Sequence, residues 1–292
     1  MVCCTNGSRW DAGCVVSTHA SPLFQVPIHR SVSGRHLCFL QTLHEHLSHL
    51  RTLDDVLRQE KLYCHYSKCH FGHPLVHFLG HTISENGLQV DDKKTEAVAK
   101  WPAPTNVKQL QSFLGLAGYY RRFIRHYATI ALPLSSLVKK DCPWEWEKTQ
   151  KHAFGLLKDA LLCAPVLKLP DFDKTFIVTT DASMYCVGGV LSHVHDGHDH
   201  PLSYFSKKLG THELNWPTHE KELFEIKLAL EKWRHYLYGR QFEIYTDNSA
   251  CQWLLHHPKV SPKLARFLTF FAQFTFRLHH VKGQMNVVAD PL

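Results

Sequence analysis

Residues 176–183 read Phe176-Ile177-Val178-Thr179-Thr180-Asp181-Ala182-Ser183. A run of β-branched and aromatic residues ends in a carboxylate, and small residues follow at once. This is the pattern of a short buried strand. Gly188-Gly189 then reads as the close of a tight connection into a second strand, Val190-Leu191. An acid at the end of a central strand is costly to bury unless something compensates its charge. A bound cation, shared with other acids, is such a compensation, and Glu222, Asp247 and Asp290 are the candidates to share it.

Working outward, Phe242–Asp247 repeats the opening pattern, an alternating strand that ends in Thr-Asp. Between the two strands lies a helix predicted over 218–237, with Thr218 as N-cap and Glu220 and Glu222 at its positive end. Leu223, Ile226, Leu230, Trp233 and Leu237 trace one apolar face at steps of three and four. At 100° per residue, Glu222 falls roughly 60° from the centre of that stripe, and Glu220 and Glu225 about 100° or more away. Glu222 is therefore the glutamate expected on the rim of the buried face. A helix over 262–274, a strand over 276–281 and the start of a helix at Asn286–Asp290 follow. Taken singly, each acid also fits a solvated surface position, Asp290 above all.

The wider composition sets bounds. The 292 residues carry 44% hydrophobic and 20% charged side chains, enough for a sizeable core in one or two domains. The formal net charge of +7 suits an anionic partner such as nucleic acid, though many basic proteins bind none. The 10 cysteines are scattered with no paired framework, so reduced thiols are expected. No stretch reaches the roughly 18 apolar residues of a membrane span, and the N-terminus lacks signal-peptide order. An intracellular protein, cytoplasmic or nuclear, is expected, with no membrane partner and no small-molecule cofactor.

Upstream of the opening stretch, residues 1–36 show no sustained period and read as a leader without an assigned role. Leucines recur at helical spacing from 40 to 62, which leaves the adjacent Asp54-Asp55 pointing about 100° apart rather than into one site. Cys64, Cys69 and the histidines around them fit no zinc-ligand spacing. A hairpin is expected around Asn86-Gly87, then helices from Asp91 to about Lys140. Tyr119-Tyr120-Arg121-Arg122-Phe123 interleaves aromatics with cations, a pattern that suits base stacking and phosphate contact or simple packing beside a basic edge. The four histidines of His193–His200 read as a polar hairpin tip around Asp196-Gly197.

Three segments carry a resemblance. FLGHTISENGL, KTEAVAKWPAPTNVKQLQSFLGLAGYYRRFI and the run from PLSSLVKK to KTFIVTTDAS are similar to the Pol polyprotein of gypsy-type long-terminal-repeat retrotransposons. The resemblance covers about residues 40–292 and is collinear. It implies a remnant of the polymerase palm end over 37–90, a mainly helical thumb and connection region over 91–170, and a ribonuclease H-like domain over 171–292. That domain is expected to be an α/β fold with a mixed five-stranded sheet, strands one to three antiparallel, flanked by helices. With Leu292 two positions beyond Asp290, it reads as C-terminally truncated. Where the family's polymerase carries Tyr-x-Asp-Asp, this chain reads Arg35-His36-Leu37-Cys38-Phe39-Leu40-Gln41-Thr42, with no acid. Polymerisation is thus not expected of the chain alone.

Carried over at TDAS, THEKEL, YTDN and NVVAD, the family's metal site falls on Asp181, Glu222, Asp247 and Asp290. His280 stands where some members place a histidine that helps release product. The implied activity is Mg2+-dependent cleavage of the RNA strand of RNA–DNA hybrids, by two ions for which Mn2+ is a substitute. Hard Mg2+ prefers carboxylate oxygens, and a pair of ions activates water and stabilises the leaving oxygen. Lys207, Lys208, Arg234 and Lys282 are candidate phosphate contacts. Two rival readings stand beside this one: an inactive nucleic-acid-binding remnant, and a DNA transposase or integrase. The latter's sites close with a glutamate after two aspartates, whereas Glu222 precedes Asp247.

Overall fold

The computed structural model describes residues 11–12, 14–17, 36–39, 43–59, 61, 63–64, 69, 73–183, 185–195, 197–247 and 261–281. Contacts divide the chain into two compact units, Met1–Lys94 with Lys168–Asp171, and Thr95–Leu167 with Phe172–Leu292. In the first unit, strands β1 (Asp11–Ala12) and β2 (Cys14–Ser17) precede β3 (His36–Phe39), helix α1 (Leu43–Gln59) and β4 (Tyr63–Cys64). β1 pairs with β4 and β2 with β3, both parallel, so part of the stretch read as an unassigned leader is paired strand. The β-branched Val15-Val16 pair accounts for it. On α1, Asp54 pairs with Arg58 one turn on at 2.8 Å, a solvated helix face as the spacing implied.

β5 (Leu75–Phe78), β6 (His81–Ser84) and β7 (Gly87–Val90) form an antiparallel meander. Its second turn is the expected Asn-Gly hairpin, with Gly87 at φ 133°. α2 (Asp92–Ala99) follows, its first turn held by Asp91 Oδ1, which accepts from Lys93 N at 2.9 Å.

The second unit continues with α3 (Val107–Tyr119), a 3-10 turn over Arg121–Phe123, α4 (Tyr127–Ile130), α5 (Leu132–Leu137) and α6 (Lys148–Leu162). Asn106 caps α3 through Oδ1, which accepts from Gln109 N at 3.0 Å. Leu110, Phe113, Leu134 and Leu157 are fully buried between these helices. Each contributes about 1.5–3 kcal/mol by leaving water. The Tyr119–Phe123 motif divides: Tyr120 and Phe123 are core residues, while Tyr119 and Arg121 are exposed.

The sheet of this unit runs β8 (Ile177–Ala182), β9 (Cys186–His195), β10 (His198–Lys208), β11 (Gln241–Thr246) and β12 (Thr275–His280). Its spatial order is β10-β9-β8-β11-β12, with the first three strands antiparallel and β11 parallel to both β8 and β12. The mixed five-stranded sheet flanked by helices is the expected one. Gly188 and Gly189 lie inside β9 rather than in the turn before it, a correction to the sequence reading. A Cβ at Gly189 would sit 3.0 Å from the Thr179 carbonyl oxygen, so glycine here serves close strand approach.

α7 (Thr211–Leu214), α8 (Thr218–Lys232), α9 (Arg234–Leu237) and α10 (Pro262–Phe271) complete the described elements. The helix expected over 218–237 breaks at the fully buried Trp233, which packs edge-on to Phe205 of β10. α8 lies across β8 and β9 and also touches α10. Leu223, Ile226 and Leu230 face Val178, Leu191, Phe242 and Ile244 in one continuous core.

Candidate functional site

The two Thr-Asp strand ends come side by side. In the parallel β8–β11 ladder, Ile244 is the partner of Val178 and Tyr245 of Thr179. Two residues further along each strand are Asp181 and Asp247, so both acids stand at the carboxyl edge of adjacent central strands, about 5 Å apart in backbone spacing. That edge of an α/β sheet is where ligand crevices form. The β8 strand reaches this point because Phe176 and Val178 point into the core and hold its register. The backbone of Asp181 belongs to β8, and its side chain lies outside the described part of the structure.

Helix α8 brings the third acid. Glu222 is half-buried on the first turns of α8, and its Oε2 is buried with no hydrogen-bond partner among the described residues. Its carboxyl group is pushed up to about 7, first by burial and second by the Asp247 carboxylate nearby. Asp247 itself is exposed. An orphaned carboxylate oxygen beside a second acid is a donor set that fits a hard divalent cation, since an ion would relieve both the repulsion and the missing bond. Among the described residues, no three His, Cys, Asp or Glu side chains form a metal-holding group. Of the four expected ligands, only the side chains of Glu222 and Asp247 are described. Asp290 lies outside the described residues, as do Lys282 and the turn and helix expected around them.

The neighbouring strand supports Asp247. His280, the partner of Thr246 in the β11–β12 ladder, places Nε2 2.9 Å from the Asp247 carbonyl oxygen. Val281 N donates to the Thr246 carbonyl at 2.9 Å, closing the same strand end. After Asp181, the turn is held by Ser183, whose Oγ donates to Cys186 O at 2.9 Å and accepts from Cys186 N at 3.1 Å.

The candidate phosphate contacts are partly engaged within the protein. Lys207 lies over the Phe224 ring and 3.6 Å from Glu213, and Arg234 lies over Tyr238 and 3.3 Å from Gln273. Lys208 is exposed. Sequence reasoning missed Lys232 and His235, whose pKa values are lowered by burial first and then by neighbouring cations that include Arg122. These groups come together only through the fold, from the 3-10 turn, the end of α8 and α9. Sequence reasoning also passed over Glu225. It was set aside by helical angle, yet it is 2% exposed and its Oε1 accepts from Gly188 N at 2.8 Å.

The expected tract at His193–His200 is a hairpin whose strands run further than predicted. His193 is buried with Nδ1 2.9 Å from the Thr175 carbonyl oxygen, and Gly197 turns at φ 76°. Of the Cys/His cluster, Cys69 and His73 are described, and the side chains of Cys64, His65 and His70 lie outside the described part. Cys142, Cys163 and Cys186 are free thiols.

The strand order, the α8 crossing and the acids at the β8 and β11 ends define an RNase H-like fold. Residues 146–244 match the family described as an RNase H-like domain found in reverse transcriptase. Most of the chain is homologous to part of the gypsy-type retrotransposon Pol polyproteins. It is 38% identical over 257 residues to the retrovirus-related Pol polyprotein from transposon 297 of Drosophila melanogaster, covering 88% of this chain and 24% of that protein. It is 35% identical over 253 residues to the transposon Tf2-3 polyprotein of Schizosaccharomyces pombe, covering 85% of this chain and 19% of the relative. The chain thus spans about a quarter or less of the length of these relatives. A foamy viral protease–reverse transcriptase, solved in complex with an RNA/DNA hybrid, shares the fold. Its TM-score is 0.72 at 23% identity, over 91% of this chain and 37% of that one. Among the described residues, no helix is long and apolar enough to cross a membrane.

Proposed function

We infer that this chain is a ribonuclease H that hydrolyses the RNA strand of RNA–DNA hybrids with Mg2+. The observation that carries this reading is Glu222 held half-buried with an orphaned oxygen beside Asp247, at the carboxyl ends of adjacent parallel strands. The foamy viral relative with this fold was solved with a hybrid bound, which supports a hybrid as partner. Asp181, Glu222, Asp247 and Asp290 are the proposed ligands of two Mg2+ ions. Bound there, the ions would supply an activated water and charge stabilisation for the leaving 3′ oxygen.

The protein's own residues set the geometry. Glu222, its carboxyl pushed up to about 7 by burial and the Asp247 carboxylate, would lose its proton on serving as a ligand. The β8–β11 register fixes the spacing of Asp181 and Asp247, and His280 holds the latter's carbonyl. Lys207, Lys208, Arg234 and Lys282 are proposed to track the phosphates, and selection of RNA rests on 2′-hydroxyls read across a minor groove. The division into palm-end, thumb and connection, and ribonuclease H regions at 90 and 170 is part of the same proposal. DNA synthesis is not, because the chain has no Tyr-x-Asp-Asp sequence.

The test is cleavage of an RNA–DNA hybrid labelled on the RNA strand, with Mg2+, by the full chain and by Asp247→Asn. Cleavage by the full chain that the variant lacks is expected. Hybrid binding without cleavage above the variant would instead identify an inactive binding protein, and strand-transfer products from DNA alone would identify a transposase-like activity.

A further inference from the structure

Glu225 is the most buried acid among the described residues, at 2% exposure, and the ligand set proposed above does not use it. It sits on α8 one turn after Glu222, and its Oε1 accepts the backbone N–H of Gly188 at 2.8 Å. Gly188 is no arbitrary strand residue. Across the antiparallel β8–β9 ladder its partner is Asp181, and across β9–β10 its partner is Ser206. One carboxylate therefore joins the helix that carries Glu222 to the strand position opposite Asp181. Packing alone would favour an apolar residue here, since an acid with no hydrogen bond is expensive to bury. A carboxylate acceptor on a backbone N–H is among the stronger hydrogen bonds available to a protein.

We propose that Glu225 is a positioning residue of the acid site, fixing the distance between Glu222 and Asp181 by tying α8 to the β9 backbone at Gly188. This rests on the nuclease reading above. Glu225 does not touch substrate or metal in this role, so what matters is an acceptor oxygen of the right reach. Glutamine keeps that oxygen, and methionine matches the length without it.

The test compares the full chain with Glu225→Gln, Glu225→Met and Glu225→Ala in two measurements that need no turnover. The first is Mn2+ affinity, read from the free-ion electron paramagnetic resonance signal. The second is hydrogen exchange of the segment 186–191 in metal-free protein. Glu225→Gln is expected to keep Mn2+ affinity within about threefold. Glu225→Met is expected to weaken it at least about tenfold, as loss of a supporting contact typically does, and to exchange faster at 186–191 while circular dichroism shows a folded chain. Should Glu225→Ala fail to fold, the glutamine and methionine variants still decide. Met binding Mn2+ as tightly as the wild type would overturn the proposal, and so would Gln failing as badly as Met, because charge rather than an acceptor would then be required. A wild-type chain that neither binds Mn2+ nor cleaves a hybrid would overturn the nuclease reading itself. Wild-type binding with an unaffected Met variant would overturn this proposal alone.

Discussion

The imidazole Nε2 of His280 lies 2.9 Å from the backbone carbonyl oxygen of Asp247, so the last described strand holds in place the end of the strand that presents this acid. A carbonyl can only accept, which assigns the proton to Nε2. With that nitrogen occupied, His280 acts on the position of Asp247. His280→Ala is then expected to slow single-turnover and steady-state hybrid cleavage by the same factor, about 3- to 10-fold, the equivalent of one hydrogen bond of about 1 kcal/mol. Rapid-quench kinetics read both rates. A fall in the steady-state rate alone would return the residue to the product-release role that the family resemblance suggests.

Glu222 makes stability depend on pH in a stated direction. Its carboxyl group is pushed up to about 7 in the fold from an ordinary value of 4.5, so the folded chain favours the protonated form. The stabilisation is fully present below about 4.5 and is lost as pH rises through about 7. In chelator, Glu222→Gln is expected to melt above the wild type at pH 8 and close to it at pH 4.5. Thermal denaturation at the two pH values measures this, and a difference that does not grow with pH counts against it.

On the proposed reading, the same group would tie metal uptake to proton release. Near pH 6, Mg2+ binding at Glu222 would displace its proton, so the apparent binding enthalpy should vary with the ionisation enthalpy of the buffer. At pH 8.5 the dependence should shrink towards zero. Isothermal titration in two buffers of different ionisation enthalpy makes the comparison, and Glu222→Gln should remove the dependence at pH 6.

Gly189→Ala tests the close approach of β8 and β9. The added methyl would meet the Thr179 carbonyl oxygen at 3.0 Å in a ladder that cannot part without moving the acid-bearing strand end. A loss of about 1–3 kcal/mol is expected in urea denaturation, the usual cost of overpacking. A change under 0.5 kcal/mol would show that the strands have room to separate.

Lys263 tests how the start of α8 is anchored. Its ammonium lies 2.6 Å from Glu220 Oε2 and over the Trp216 ring, joining α10 to the approach to α8. Both charges are partly sheltered, so Lys263→Ala should cost about 1 kcal/mol and weaken with salt less than an exposed pair would. Denaturation at low and high salt measures both.

Much of this arrangement was legible in the chain itself. The repeated Thr-Asp strand ending singled out Asp181 and Asp247, but the parallel register that sets their backbones side by side joins strands far apart in the chain and is seen only in the structure. The helical-angle argument put Glu222 on the rim of the buried face, where it is half-buried. The same argument misplaced Glu225, because it assumed one covered face. At that level α8 is covered by β8 and β9 and also approached by α10, so residues 223–226 are all buried and the stripe is far wider than a single face. Gly188-Gly189 reads as a turn in the sequence because glycine pairs usually punctuate; here Gly189 lets β8 approach, a need visible only once the Thr179 carbonyl is known to lie against it. Thr218 was expected to cap α8, but Pro217 occupies that position and offers no side-chain acceptor. Lys232 and His235 are brought near Arg122 by contacts between segments more than 100 residues apart, which no local pattern encodes.

The parallel pairing of β8 with β11 has a kinetic consequence. Asp181 and Asp247 are neighbours in the sheet but are separated by two strands and three helices along the chain. Loop closure over that distance must come before the contact rewards it, and parallel pairings of this kind form late and slowly. The acids therefore cannot assemble in a partly folded chain that has only its antiparallel hairpins. If the proposed ion site is correct, divalent-ion binding should appear during refolding with the last phase and not with collapse, and the ion would then report complete tertiary assembly.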